Sequence, residues 1–524
     1  MPENNKLKNI FKPIDQFLNS FFILPYYGLS TIILFSLLLR FSFFVPEIPL
    51  TLDALEYFFY AMDTSLLGHL PSNYSSENNG WPAFLSLFFS IFKFNDPLSY
   101  IQLQKIVSIV ISVLTTIPIY LLCRKFVGKP ESLVAASIFV FEPRLVQNSL
   151  LGITEPLYLI LCSSSLLFFL SNEKKLVYLS FFFAGIATLV RSEAIVLLVI
   201  LSVMFFVKFR CDKFVIPKYL SALSVTILSI LPMALYRINV LGNDAIIGRV
   251  SDGVQRTQTG ITQGIFRGLE NYFMFLGWDL IPLFIILAPI GFFLTFRDLN
   301  YKKITILIST VGMSIPAVYA YSVPALDTRF LFILYPMFCI FSALTIKATI
   351  DRFSNKNFIL ISILMILFFS SAVFLEYKLM DTSHDKEAYQ IAEYLIQSPG
   401  NMNDYYPESR FIESANIFKN WDETKSNFYL DREDGVSVRS ISQNPNLFST
   451  QGFENIEDFI YENKDNGLTT IVADVNEIRP KFIKDIFENE EKYPYLIKEL
   501  DTSELGYSYH VKIFKIDYDK FSLR

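Results

Sequence analysis

Charged residues are scarce in this 524-residue chain: Asp, Glu, Lys and Arg make up 18% of it, where a soluble globular protein has about 25%. Histidine and cysteine are also scarce, with 3 and 4 copies, and neither shows the spacing of a zinc site. All the cysteines fall in or beside apolar runs, which excludes a disulfide framework. The net charge of −5 is small and indicates no nucleic-acid partner.

Apolar residues take the place of the missing charge. Hydrophobic residues make up 52% of the chain, which includes 53 Phe and 28 Tyr. Apolar runs of about 20 residues recur, and each is long enough to cross a hydrocarbon core about 30 Å thick. The chain is therefore predicted to be a polytopic α-helical membrane protein with about eleven transmembrane helices. The predicted spans are 21–45, 101–123, 131–149, 153–171, 175–190, 193–209, 216–237, 273–296, 303–322, 329–347 and 357–377.

Basic residues mark alternate loops between these spans, which predicts the orientation of the chain. Lysine and arginine concentrate in cytoplasmic loops, so the N-terminus is expected in the cytoplasm. An odd number of spans then places residues 378–524 outside. We predict a multi-pass protein of the cell membrane.

Two domains follow from the change in composition along the chain. Residues 1–377 form the transmembrane module, and its first outer loop, 46–100, carries two helical segments expected to lie at the membrane interface, with Trp81 as an anchor. Residues 378–524 are charged and mixed, with amphipathic helical segments and alternating strand-like segments. This region is predicted to be a soluble extracytoplasmic α/β domain.

The stretch LDALEYFFYAMD at residues 52–63 places acids among aromatic residues just after the first span. Asp53 and Glu56 are three residues apart, so their carboxylates share one face of a helix, while Asp63 follows further along. An acid near a helix start is also favourable for the helix itself. The stretch is therefore either a functional acidic face or an ordinary helix start.

Further ionisable residues recur at the predicted outer ends of later spans. Charged groups within a membrane bundle are costly and are candidates for function. Ordinary explanations exist too, such as an ion pair between Glu142 and Arg144, a helix start at Glu155, or an arginine that reaches to the membrane surface. Arginines that converge beside carboxylates nevertheless indicate an anion site. The candidate substrate-binding residues are Glu142, Arg144, Glu155, Arg191, Glu193, Asp327 and Arg329.

Four stretches carry a resemblance to a known family: LDALEYFFYA after the first span, WPAFLSLFFSIF, RSEA between two spans, and DTRFLFILYP before a late span. With them the chain resembles the GT-C class of integral-membrane glycosyltransferases. It is most similar to family 39, the dolichyl-phosphate-mannose-protein mannosyltransferases, and to the aminoarabinose-transferase and RgtA-like enzymes. The stretch FEPRLVQNSLLGITEPLY looks like the archaeal branch. The resemblance covers residues 1–377.

The resemblance implies transfer of a sugar from a polyprenyl (dolichyl) phosphate donor to a protein, glycan or lipid acceptor outside the membrane. It implies an acid of the first loop as general base, which falls on Asp53, or on Glu56 because the acids are not adjacent here. It implies that Arg191 or Arg329 binds the donor phosphate. We expect an inverting reaction without a cofactor, although Asp53 with Glu56 or Asp63 could hold Mg²⁺ or Mn²⁺.

Three alternative functions remain open at this stage, and one of them is a non-catalytic membrane scaffold that displays its outer domain. A transporter or flippase of lipid-linked or anionic substrates also carries buried charges, but transporters usually show two similar halves, which this sequence lacks. An oligosaccharyltransferase-like enzyme also has a first-loop acid and a soluble C-terminal domain. Its WWDYG signature is missing here, and the nearest stretch is NWDET at residues 420–424.

Overall fold

The computed structural model describes most of the chain, and the described part is mainly helical with one small sheet near the C-terminus. The described residues are 25–71, 79–241, 261–322, 325–353, 355–378, 380–397, 400–405, 408–422, 445–476 and 478–522. The predicted cytoplasmic N-terminus, the start of the first predicted span, and residues 423–424 of NWDET lie outside them.

Helices make up most of the described residues before residue 400. Two lie in the first predicted outer loop, the last belongs to the predicted C-terminal domain, and the others overlap the predicted spans. They are α1 Pro25–Ser42, α2 Leu52–Leu67, α3 Gly80–Ile91, α4 Pro97–Leu114, α5 Thr116–Cys123, α6 Lys129–Val140, α7 Pro143–Leu150, α8 Glu155–Phe169, α9 Lys174–Val190, α10 Ala194–Lys208, α11 Val215–Leu241, α12 Ile261–Leu280, α13 Leu287–Thr295, α14 Tyr301–Ser322, α15 Tyr335–Ile350, α16 Lys356–Lys378 and α17 Met380–Gln397.

Several of these helices have the length and apolarity of a membrane span. Five within the described residues meet both conditions: Pro97–Cys123, Val215–Asn239, Tyr301–Ser322, Thr328–Ile350 and Lys356–Gln397. Shorter apolar helices are Tyr26–Ser42, Gly80–Ile91, Glu155–Phe169 and Ala194–Lys208. These helices confirm the predicted class, a helical membrane protein, while the count of eleven spans stays a prediction.

Two predicted spans are broken in the structure, and proline explains both breaks. The span 131–149 divides at Glu142, whose ψ of 118° is extended; Pro143 follows it and disfavours a helical conformation at the preceding residue. The span 273–296 divides between α12 and α13, where Pro282 provides no backbone N–H. The predicted span 131–149 placed Glu142 and Arg144 inside one continuous helix. The structure shows that the helix is interrupted there.

The chain divides into two compact units. The first comprises residues 1–44, 74–88 and 103–376, and the second comprises 45–73, 89–102 and 377–524. Parts of the first predicted outer loop thus belong to the same compact unit as the C-terminal region. The assignment of 1–377 and 378–524 as functional domains stays a prediction.

The helices of the first unit approach closely where small residues allow it. Gly291 of α13 lies against the backbone of α15, and a Cβ atom there would lie 1.8 Å from the carbonyl oxygen of Phe341. Small residues serve this purpose in membrane bundles, because dispersion contacts between helices replace the hydrophobic effect. Gly291 therefore fixes the spacing of these two helices.

We expect Gly291→Ala to lower the apparent melting temperature of the detergent-solubilised protein, because the added methyl group must displace backbone atoms. Overpacking of this kind costs about 1–3 kcal/mol. The matched control is Gly277→Ala on α12, where a Cβ would have no neighbour within 4 Å. Equal melting temperatures for the two variants would contradict the close approach.

The second unit contains a five-stranded sheet. Its strands are β1 Asn401–Asn403, β2 Leu447–Phe448, β3 Leu468–Asp474, β4 Leu496–Asp501 and β5 Val511–Ile516. They are ordered β2-β1-β3-β5-β4, with β2, β1 and β3 parallel and the remaining pairs antiparallel. Further helices are α18 Ile412–Lys419, α19 Ile456–Asn463, α20 Lys481–Glu488 and α21 Tyr518–Phe521.

Helices cover both faces of this sheet, because successive side chains of a strand point to opposite sides. Val472 and Ile513 join a core with residues of α17 and α18, while Ile471 and Phe514 join another with residues of α19 and α20. The predicted C-terminal α/β fold is confirmed. Strands β1, β2 and β4 were missed, since two are too short to show alternation and β4 is largely exposed.

Trp81 and the aromatic residues at the centre of α2 are buried, which corrects the predicted role of Trp81 as a membrane anchor. Trp81 is fully buried, and its indole N–H donates to the carbonyl of Gly152 at 3.1 Å. In α2, Phe58 and Phe59 are also fully buried, and Phe58 packs edge-on against Phe89. These rings have partners in the protein, so their hydrophobicity reflects packing rather than contact with lipid.

Candidate active site

Arg191 lies in the short connection between α9 and α10 and forms the centre of a charged cluster. Its guanidinium donates to Glu155 at the start of α8 and, at 3.0 Å, to Glu193. It also lies 5.9 Å from the ring of Tyr158 and 5.8 Å from that of Phe330, within the range of cation–π attraction. Two carboxylates thus neutralise this arginine and hold it in place.

Arg329 faces the same small cavity. The cavity has a volume of about 20 Å³ and is lined by Glu155, Tyr158, Arg191, Glu193 and Arg329 among others. Asp327 accepts from the Arg329 backbone N–H at 2.9 Å and pairs with its guanidinium at 2.8 Å, which begins the 3₁₀ helix Thr328–Leu334. The Arg329 side chain is 30% exposed against 11% for Arg191. Four predicted residues therefore do converge, and Arg329 is the more accessible of the two cations.

Glu142 and Arg144 belong to another cluster in the same unit, and this cluster includes a residue that the sequence did not single out. Arg144 pairs with Glu142 at 3.3 Å and with Asp279 at 3.5 Å, and it donates to the carbonyl of Ile281. Both carboxylates are fully buried. The available signal for Asp279 was an acid inside the predicted span 273–296, three residues before Pro282.

The cluster explains the charge in the middle of apolar sequence. The half-buried guanidinium of Arg144 links the two broken helices, because Glu142 lies at the break before α7 and Asp279 lies at the end of α12. Buried charges persist when they are paired and hydrogen-bonded. The ion pair between Glu142 and Arg144 that the sequence offered as an alternative is therefore present. The contacts of Arg144 indicate a structural role.

The acids of the first outer loop lie on α2 in the second unit. Asp53 is exposed in the first turn of the helix, Glu56 is half-buried one turn later, and Asp63 is fully buried. A side chain must be accessible to meet a substrate, so Asp53 and then Glu56 are the suitable candidates. Asp63 is enclosed by protein and is not.

A metal site shared by Asp53 and Asp63 does not fit the helix. Asp63 lies nearly three turns beyond Asp53, roughly 15 Å along the axis, so the two cannot share an ion. Among the described residues there is no group of three or more His, Cys, Asp or Glu arranged to hold a metal. Asp53 and Glu56 would supply two carboxylates, and Mg²⁺ sites with so few protein ligands are completed by waters and substrate phosphates.

A large apolar cavity lies among the last helices of the first unit. Its volume is about 820 Å³, and α12, α13, α14 and α15 line it. The lining is almost entirely hydrophobic and includes Leu269, Phe292, Val311, Ile315 and Phe341. A cavity of this size and character suits a hydrocarbon chain rather than a polar ligand.

Two protein-family models match the chain. The model described as dolichyl-phosphate-mannose-protein mannosyltransferase matches residues 80–236, and that of the Alg9-like mannosyltransferase family matches residues 267–431. The two ranges together cover more than half of the chain, and both belong to GT-C mannosyltransferases. The chain is a membrane glycosyltransferase that resembles the GT-C mannosyltransferases over these two ranges. The resemblance seen in the sequence is thereby confirmed at the level of the superfamily.

Solved structures of other GT-C enzymes share this fold. An oligosaccharyltransferase from Archaeoglobus fulgidus, in complex with Zn and sulfate, aligns with a TM-score of 0.57 at 13% identity over 85% of this chain and 67% of that one. ArnT from Cupriavidus metallidurans, bound to undecaprenyl phosphate, aligns with a TM-score of 0.56 at 9% identity over 95% of this chain and 98% of that one. A search of curated proteins gave no match. At these identities the likeness shows the fold.

Proposed function

We propose that this glycosyltransferase moves a sugar from a polyprenyl-phosphate donor, such as dolichyl phosphate mannose, to an acceptor on the outer face of the membrane. The observation that supports this most is the pairing, within one helical unit, of the arginine-lined cavity with the apolar cavity of about 820 Å³. A polyprenyl phosphate requires both kinds of cavity, since arginines bind its phosphate and apolar surface binds its tail. The oligosaccharyltransferase AglB from Archaeoglobus fulgidus has been solved with a dolichol-phosphate, and ArnT with undecaprenyl phosphate.

The membrane arrangement is part of this proposal. Eleven spans, a cytoplasmic N-terminus and an outer C-terminal domain are the arrangement that the basic loops predict. It would bring Asp53, Arg191 and Arg329 to the outer side, where a lipid-borne sugar could meet a protein, glycan or lipid acceptor.

The reaction we propose is a single displacement with inversion. Asp53 takes the proton of an acceptor hydroxyl, whose oxygen attacks the anomeric carbon. The bond from that carbon to the phosphate oxygen breaks, and the polyprenyl phosphate leaves with the bonding electrons. Arginines stabilise the negative charge of the leaving phosphate. The donor phosphate carries one negative charge and leaves with a second, and the arginines balance this added charge.

The reaction can be tested with the purified chain in detergent, offered polyprenyl-phosphate-linked mannose, glucose or aminoarabinose together with peptide, glycan or lipid A acceptors. Transfer of one sugar supports the proposal. Transfer of a whole glycan from a lipid-linked oligosaccharide to an Asn-X-Thr peptide would instead favour an oligosaccharyltransferase, which shares the fold. Transport of the lipid-linked sugar across a vesicle membrane without transfer would contradict the proposed reaction.

We expect Arg329→Ala to raise the donor KM by about 10- to 100-fold, the effect of a lost charge-assisted hydrogen bond. Arg329 is proposed as the phosphate ligand because it is the more exposed arginine of the cavity. Arg329→Lys should recover part of the loss, since the charge remains but the planar donor pair does not. The control is Arg352→Ala, an exposed arginine after α15, and an equal change in both variants would contradict the assignment.

A further inference from the structure

The first residue of α2 has an unusual backbone conformation. Leu52 has a φ of +51°, in the left-handed region that side chains with a Cβ rarely adopt. It immediately precedes Asp53, the proposed base. Such a conformation persists only where the surroundings impose it. The Leu52 side chain is 68% exposed, so its own packing does not impose it.

The helix does not fix this start by itself. Thr51 occupies the capping position with extended φ and ψ of −137° and 161°, but its side chain makes no capping hydrogen bond. A capping bond from such a residue normally anchors the first turn of a helix. The Thr51 side chain therefore does not anchor residues 51–53.

The C-terminal region of the same unit provides this support. The hydroxyl of Ser414 in α18 donates to the carbonyl of Leu50 at 2.5 Å, and both residues are almost fully buried. Ile48 packs against the core formed by α17, α18 and the sheet. Lys386 of α17 pairs with Glu47 at 2.8 Å. The chain is thus held on the C-terminal region over the residues that lead directly to Leu52.

We propose that the C-terminal region is a positioning element for the base, with Ser414 as its principal positioning residue. This inference rests on the proposed function, in which Asp53 accepts the proton. Ser414 donates a hydrogen bond to the Leu50 carbonyl and so fixes the backbone that leads to Leu52. This contact keeps Leu52 in the left-handed conformation, and that conformation sets the orientation of the Asp53 side chain at the start of α2. Without that hydroxyl, a buried carbonyl loses its donor, and the chain can relax to the ordinary conformation at Leu52.

Ser414→Ala should lower kcat by about 10-fold or more with the donor KM nearly unchanged, because misplacement of a reacting group by about 1 Å is enough for a loss of this size. Ser503→Ala, at an exposed turn of the same region, is the matched control and should leave kcat unchanged. A rise in KM alone would overturn the positioning role.

A pair of variants at Leu52 tests the backbone conformation without touching the core. Leu52→Gly should retain activity, because glycine adopts positive φ without penalty. Leu52→Val should lose activity to a similar degree as Ser414→Ala, because a β-branched residue resists this conformation. Combining Leu52→Gly with Ser414→Ala should restore part of kcat. Equal activity of the Gly and Val variants would overturn the inference.

Backbone hydrogen exchange separates this inference from the proposed function. In the full chain, Ser414→Ala should increase exchange at residues 51–56, and Ser503→Ala should not. Unchanged exchange in Ser414→Ala would overturn the positioning role whatever the chemistry. Full activity of Asp53→Asn together with increased exchange in Ser414→Ala would instead overturn Asp53 as base and leave the structural link standing.

Discussion

Asp53→Asn should reduce kcat for sugar transfer by about 10²- to 10⁴-fold, the usual contribution of a positioned general base. Asparagine keeps the size of the side chain and its place in the first turn of α2 but cannot accept the proton. The donor KM should change little, because the lost interaction belongs to the transition state. The measurement is steady-state transfer from polyprenyl-phosphate mannose by detergent-purified protein at matched concentration.

Glu56→Gln is the matched control for this variant. Glu56 lies one turn along the same helix and is half-buried, whereas Asp53 is exposed. We expect Glu56→Gln to lower kcat by less than about 10-fold, as a neighbour that shapes the site rather than the group that takes the proton. A larger loss in Glu56→Gln than in Asp53→Asn would reassign the base to Glu56. Full activity in both would remove α2 from the chemistry.

Arg191→Ala should destabilise the protein by about 3–5 kcal/mol, the effect of removing one partner from a buried ion pair. Glu155 is only 1% exposed and would lose the guanidinium that pairs with it. The expected result is a large drop in apparent melting temperature even without donor. This differs from Arg329→Ala, which should affect donor binding more than stability because Arg329 is partly exposed.

The double variant Arg191→Ala with Glu155→Gln decides whether the loss comes from the uncompensated acid. Removing the buried charge together with its partner should recover much of the melting temperature, because the two changes are coupled through one contact. Recovery of stability without recovery of activity would show that Arg191 also serves the reaction. An unaltered melting temperature in Arg191→Ala alone would contradict the role of Arg191 as the centre of the cluster.

Much of the fold could be predicted from local pattern. Apolar runs of about 20 residues located the helices, a short β-branched run located β3, and alternation located β5, because periodicity along the chain reflects which side of an element is buried. The prediction failed where a run was too short for periodicity, as in β1 and β2. It also failed at Pro143 and Pro282, where apolar composition continued through a break in the helix.

The candidate active site was likewise predicted only in part from the sequence. The sequence located the acids and arginines, because a charged group in an apolar run is costly and therefore conspicuous. It placed Trp81 at the membrane surface, whereas the indole is buried on the carbonyl of Gly152. Composition cannot separate an aromatic residue that faces lipid from one that faces protein, since both environments are apolar.

The sequence by itself determined that this chain is a helical membrane protein and which of its residues carry charge beside the apolar runs. Only the tertiary structure decided their partners: Arg191 with Glu155 across 36 residues, Arg144 with Asp279, and Ser414 with Leu50 across 364 residues. The reason is that sequence patterns report local burial, whereas these contacts depend on how distant elements pack. The left-handed turn at Leu52 is also decided by the tertiary structure, because a leucine adopts this conformation only when other parts of the chain hold it there.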